Sequence, residues 1–310
     1  MSQLVPRQQH GSNYAVEIGL LALLALLWGS SYLFIKVALT EIPPITIIAA
    51  RVLIAALLLL SVMHLRDERL PREVLTWRML LVQAFFNSIG AWTILAWGQQ
   101  YLDSGLASVL NSTAPIFVFF ATWLITRHEA VNGLKLLGAL LGLVGVVLIV
   151  GVDALNGLGK QVLAQLAVIT GAILYACAAI YGNRFSGQPA IVTAAGTMIW
   201  ASVCLVPLSL LVDQPWTLQP SFKALASVLL LGLICTGVAL LIYFRLMKTL
   251  GSLGVASQAY LRAGVGVLLG VVILGERITP LVGLGLVATM FGVAAMNVPR
   301  RAAASSQVAD

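Results

Sequence analysis

The sequence predicts an all-α integral membrane protein: ten transmembrane helices arranged as two inverted five-helix repeats. Three observations carry this. First, 60% of the 310 residues are hydrophobic and 9% are charged, with a mean hydropathy of +1.00, whereas roughly a quarter of a soluble domain's residues are charged. Second, ten apolar segments can be counted, each near the ~20 residues a helix needs to cross hydrocarbon. Third, residues in distant segments recur at one fixed offset.

In order, residues 1–14 form a polar tail. The apolar run behind it continues to Ala38 without the small-residue pattern of a signal-peptide cleavage site. It is therefore read as a first membrane helix, 15–38, that stays. The other segments are 43–65, 79–101, 104–125, 134–152, 161–182, 189–212, 224–246, 252–274 and 279–298. None shows the period-2 alternation of a membrane strand, so the chain is a helical bundle. Connections are short, as in helix hairpins. The sizeable polar loop is "RDERLPREVLTWR", Arg66 to Arg78, and 299–310 is a second polar tail. Cys177, Cys204 and Cys235 lie inside apolar runs without CxxC spacing, which gives neither a disulfide framework nor a zinc site.

Cation placement sets the orientation. With the N-terminus cytoplasmic, that side carries Arg7, Arg66, Arg69, Arg72, Arg78, Arg127, Lys135, Arg184, Arg245, Lys248, Arg300 and Arg301. The opposite loops carry only Lys160, Lys223 and Arg277. This is a positive-inside bias with both tails cytoplasmic. It accounts for the net charge of +7 without nucleic acid.

Four pairs share the offset. Trp28 with Tyr175, Glu129 with Glu276, Gly138 with Gly285, and Gly145 with Gly292 are each 147 residues apart. Periodic self-similarity of this kind is the signature of repeats. The first is 15–152 and the second 161–298. Five spans is an odd number, so the copies point in opposite directions. Inverted repeats are a recurring construction of secondary transporters, with substrate held near the midplane between halves.

All eleven acids and all three histidines fall in loops, tails or span ends. Three cations, Lys36, Arg51 and Arg262, lie within spans. Intramembrane charges face the bundle interior or a wet cavity. Helical spacing then assigns candidate cavity-lining residues. Gln258 and Arg262, with Tyr260 nearby, come from the ninth segment, and Trp28, Tyr32 and Lys36 from the first. Arg51 comes from the second, Asn87 and Trp92 from the third, Ser108 and Asn111 from the fourth, and Tyr175 from the sixth. A guanidinium there would meet a substrate carboxylate, and the aromatic rings would take an apolar side chain.

Plainer roles exist for the same residues. Arg262 can bond helix carbonyls, Lys36 and Arg51 can snorkel to the interface, and Trp97, Trp123 and Trp200 suit interface anchors. The serines and Asn111 can bond between helices, and GALLG (138–142) and GVLLG (266–270) suit close helix packing. Glu129 and Glu276 suit helix starts.

"LLWGSSYLFIKVAL", "PITIIAARVLIAALLLL" and "LGERITPLVGLGLVATMFGVAAM" together resemble the EamA family of the drug/metabolite transporter superfamily, over about 15–298 as two EamA repeats. The resemblance implies a ten-helix inner-membrane carrier, an exporter of amino acids or related metabolites near the aromatic and neutral amino-acid branch. Where that family often has a proline before the corner glutamate, this chain has Ala263 with Arg262 beside it. With no acid in mid-span to carry protons, the expected activity is facilitative export by alternating access. Proton-coupled efflux of lipophilic cations is the alternative, opposed by a positive interior. A membrane enzyme lacks any mid-span nucleophile–base pair. No cofactor or metal is expected. The partners are a small-molecule substrate and lipid, and the oligomeric state is left open, a monomer being sufficient.

Overall fold

The computed structural model describes residues 14–121, 133–150, 160–185, 187–249 and 258–296. Both tails, Trp123 and Glu129 lie outside them. The helices are α1 (Tyr14–Ala38), α2 (Pro44–Leu65), α3 (Val74–Ala84), α4 (Gly90–Gln99), α5 (Ser104–Asn111), α6 (Ala114–Ala121) and α7 (Gly133–Val150). They continue as α8 (Lys160–Gly182), α9 (Ala190–Val212), α10 (Phe222–Gly232), α11 (Ala239–Thr249), α12 (Gln258–Leu274) and α13 (Pro280–Met296). No strand occurs among the described residues.

Seven stretches are long and apolar enough to cross a bilayer: 15–38, 44–65, 74–99, 104–121, 161–182, 190–212 and 222–243. The helices α7, α12 and α13 occupy the places expected for the fifth, ninth and tenth spans, and shorter apolar stretches lie at 261–274 and 283–292. The expectation of ten full spans is thus met in seven.

Three departures from regular helix have local causes. The third span begins at Val74, not 79: Trp77 Nε1 donates to the Pro71 carbonyl, and Trp200 Nε1 donates to the Trp77 carbonyl, both at 2.9 Å. These bonds draw the end of the polar loop into the helix. The fourth span is broken between α5 and α6, because Pro115 has no N–H to give. Ser112 Oγ and Thr113 Oγ1, in the break itself, donate back to the Ser108 and Leu110 carbonyls of α5. Arg262 stands 147 residues after Pro115, and the two positions that mirror the break, 259 and 260, are helical in α12. Finally, the third and eighth spans each contain a π-helical turn, at Phe85–Ile89 between α3 and α4 and at Leu233–Val238 between α10 and α11. At the 147-residue offset the two turns coincide to within two residues. Such bulges are frequent at functional sites.

Helices α7 and α13 cross on glycines. A Cβ on Gly292 would lie 2.5 Å from both the Gly138 carbonyl oxygen and the Gly142 nitrogen; one on Gly145 would lie 2.7 Å from the Gly285 carbonyl oxygen. Helix α1 meets α12 similarly, at Gly29 against Val265 and the Arg262 carbonyl.

Span ends at the Glu41 side of the bundle are tied by carboxylates. Thr46 N and Oγ1 donate to Asp213 Oδ2 at 2.9 and 2.8 Å. Glu41 accepts from the backbone N–H and the hydroxyl of Ser221, the residue that opens α10. Those two bonds, the backbone one foremost, hold the Glu41 carboxyl below its ordinary range. A depressed carboxyl contributes stability above its unfolded value and loses it as pH falls through the folded one. Glu41→Gln is therefore expected to lower the melting temperature slightly at neutral pH and not at all in acid, below the depressed value. Melting curves of both proteins across pH check this.

Candidate functional site

Seven residues named from the sequence converge in the bundle interior. Arg51, on α2, is 6% exposed, and Nε donates to Thr236 Oγ1 at 2.8 Å. Its guanidinium carbon lies 3.9 Å from the centroid of the Trp92 ring, a cation–π stack. Trp92 Nε1 in turn donates to the Tyr175 hydroxyl. Helix α12 joins the cluster at Arg262, whose carbonyl faces Gly29 of α1, one turn before Tyr32. Tyr32 is 4% exposed and its hydroxyl accepts from Asn111 Nδ2 at 2.7 Å. Ser108 Oγ reaches the Arg262 carbonyl at 3.5 Å. Arg262 itself is partly buried, and its Nε is enclosed without an acceptor.

The π turns position part of this cluster. Thr236 sits in the turn at 233–238, and its hydroxyl donates to the Leu231 carbonyl five residues back at 2.8 Å. A hydroxyl with its proton committed to the backbone presents a lone pair, which Arg51 takes. Apolar patterning does not mark Thr236 as a site residue; the signal near it is the recurrence of small polar residues at the offset, Ser88 and Cys235. Asn87, in the other π turn, bonds its neighbour Ser88 at 3.1 Å.

Other candidates lie elsewhere. Trp28 leaves the stripe it shares with Tyr32 and packs on Tyr243, centroids 5.5 Å apart, in a separate apolar cluster with Leu24 and Leu246. Lys36 reaches the bundle end, where Nζ donates to the carbonyls of Gln99 at 3.0 Å and Leu102 at 2.5 Å. The side chains of Gln258 and Tyr260 lie outside those described. Glu276 caps a helix start, but that of α5, 172 residues away in sequence from Ser104: it accepts from Ser104 N at 2.6 Å and Gly105 N at 3.0 Å. Burial, reinforced by the charge of Glu276, pushes the neighbouring Asp103 carboxyl up.

A cleft of about 510 Å³ lies at the opposite end of the bundle, lined among others by Leu20, Arg66, Pro189, Val238 and Arg245. A second, of about 310 Å³, lies between Thr46, Ile54 and Pro220. Neither is lined by Arg51 or Arg262, so the hollow expected around Arg262 is not one of these two. The larger one comes within two residues of Thr236 at Val238. Beside it the Glu17 carboxylate, 1% exposed, pairs with Arg245 at 2.9 Å and accepts from Thr249.

A bundle crossed by apolar helices and centred on two cations and aromatic rings fits a polar cargo held away from lipid. Comparison with known proteins agrees in kind. The uncharacterized inner membrane transporter YedA of Escherichia coli strain K12 is 27% identical over 277 residues, covering 89% of this chain and 88% of that protein. The uncharacterized transporter YoaV of Bacillus subtilis is 26% identical, covering 75% and 80%. A probable amino-acid metabolite efflux pump of E. coli strain K12 is 26% identical, covering 89% and 93%. One crystal structure of a protein shares the fold with a TM-score of 0.63 at 19% identity, over 91% of this chain and 96% of that one. The EamA-like transporter family matches residues 16–151 and 162–298, and the chain belongs to that family: it is a multi-pass membrane transporter.

Proposed function

We propose that this transporter exports small carboxylate-bearing metabolites, amino acids among them, across the inner membrane by alternating access between its two repeats. The observation that carries this is Arg262: a guanidinium whose Nε is enclosed without an acceptor, on the turn of α12 that meets Gly29 and Ser108, next to the Tyr32–Asn111 pair. An unfilled charged donor in a low-dielectric interior is a ready anchor for a carboxylate. The E. coli relative named a probable amino-acid metabolite efflux pump supports the substrate class. In this reading the Arg66 end is cytoplasmic, the side its cations favour, and the larger cleft there would admit cargo. Transport runs down the substrate gradient, since the described acids sit at span ends and not beside the cluster.

Uptake into liposomes holding the purified protein, one amino acid or metabolite at a time, tests this. Arg262→Ala is expected to cut carboxylate transport about 30-fold or more, the effect of losing one charge-assisted pair in a desolvated site, with the protein still folded. An unchanged substrate profile would make Arg262 structural. Uphill accumulation driven by acidifying the receiving side would refute the facilitative part of the reading.

A further inference from the structure

The two interior guanidinium groups have no anion of the protein's own. Of the three nitrogens of Arg51, only Nε has an acceptor among the described residues, the neutral Thr236 hydroxyl. Arg262 Nε has none. The remaining neighbours, Trp92, Tyr175, Tyr32 and Asn111, are neutral as well. The acids are committed elsewhere. Glu17 is held by Arg245 and Thr249. Asp213 ties Thr46, Glu41 ties Ser221, and Glu276 caps α5. Asp67, Glu68 and Glu73 lie in the exposed connection between α2 and α3, and Asp103 lies in the one before α5. The cluster therefore holds two positive charges and, among the described residues, no negative one.

A neutral amino acid answers this poorly. Its single carboxylate matches one guanidinium and leaves the other unmatched, while its ammonium enters a field of like charge. A molecule with two carboxylates matches each guanidinium with a planar, two-bond pair. We infer that the preferred cargo is a small dicarboxylate of net negative charge, acidic amino acids included. This narrows the proposed function away from neutral amino acids, and rests on the reading that the cluster binds substrate carboxylate. Asn111 Oδ1, buried and unpartnered, is the acceptor an amino group on such a molecule would use.

The test is counterflow in phosphatidylcholine vesicles holding the full chain, with labelled L-glutamate, succinate, L-phenylalanine and L-leucine. Glutamate and succinate are expected to exchange at least about tenfold faster than the two neutral amino acids, since one unmatched charge in a desolvated site costs that much or more. Net glutamate movement is expected to respond to an imposed membrane potential. Both readouts need no variant. Arg262→Gln is expected to shift preference toward monocarboxylates, and Arg262→Lys to retain the dicarboxylate preference at a lower rate. Exchange of neutral amino acids but not of dicarboxylates would overturn this inference and leave the proposed function standing. Exchange of neither would overturn both. A folded Arg262→Gln protein with an unaltered preference would overturn the assignment of the second carboxylate to Arg262.

Discussion

Arg51→Met is expected to abolish transport while leaving the melting temperature of the bundle unchanged or slightly raised. A charge near the bilayer centre costs about 2.5–3.5 kcal/mol even on insertion scales. Against this, the Arg51 stack on Trp92 contributes about 2 kcal/mol when desolvated, and its bond to Thr236 about 1.5–3 kcal/mol. The gains exceed the cost by about 1 kcal/mol, and a methionine over the same ring recovers about as much through its sulfur–aromatic contact, so the exchange is close to neutral. Methionine keeps an unbranched side chain of similar reach over the Trp92 ring and removes the charge that has no counter-ion. Replacing a buried charged group by an apolar one of similar volume is often neutral or stabilising. It does free the Thr236 lone pair, but that hydroxyl keeps its bond to Leu231. The check is a melting curve in detergent beside a liposome transport assay: a lower melting temperature with transport intact would make Arg51 a packing residue.

Arg51 and its surroundings are conspicuous in the sequence to different degrees. A cation in an apolar run stands out because lipid penalises it, so Arg51 and Arg262 were legible without coordinates. Trp92, Tyr175, Tyr32 and Asn111 followed from helical spacing, which gives a face. Spacing does not give the partner across that face. Trp28 shares a stripe with Tyr32 and still packs on Tyr243 in a different cluster. Thr236 was not legible because its role depends on a π turn, which widens the helix locally and which residue preference does not report. Glu276 was legible as a cap, since it precedes a helix start, but the helix it caps begins at Ser104 on the far side of the chain. The break in the fourth span departs from the sequence expectation, which takes 104–125 as one segment; Pro115 is the residue that marks it. At the mirrored positions 259 and 260 α12 is helical, and Arg262 stands at the place equivalent to Pro115.

Gly292→Val is expected to have the opposite signature: loss of the folded bundle, and of transport only in proportion. Exchanging the two repeats at the 147-residue offset converts Gly292 against Gly138 into Gly145 against Gly285, and Gly292 against Gly142 into Gly145 against Thr289; both sets of contacts are present. A crossing in which each contact has its mirror is what a local two-fold produces, so the two repeats meet there about such an axis. Between membrane helices no hydrophobic drive exists, and association depends on close backbone approach at small residues. At Gly292 the atoms a Cβ would strike are a carbonyl oxygen, an amide nitrogen and a Cα of the facing helix, none of which can rotate away as a side-chain tip can. Overpacking costs about 1–3 kcal/mol where side chains can shift, and backbone on both sides puts this site at the upper end. Gly264→Ala is the control, because nothing lies within 4 Å of a Cβ there. Fluorescence-detected size exclusion is expected to show aggregation for Gly292→Val and a wild-type peak for Gly264→Ala. A monodisperse Gly292→Val protein of wild-type melting temperature would mean that α7 and α13 do not bear on each other, and the two-fold relation between the repeats would have to be sought at another crossing.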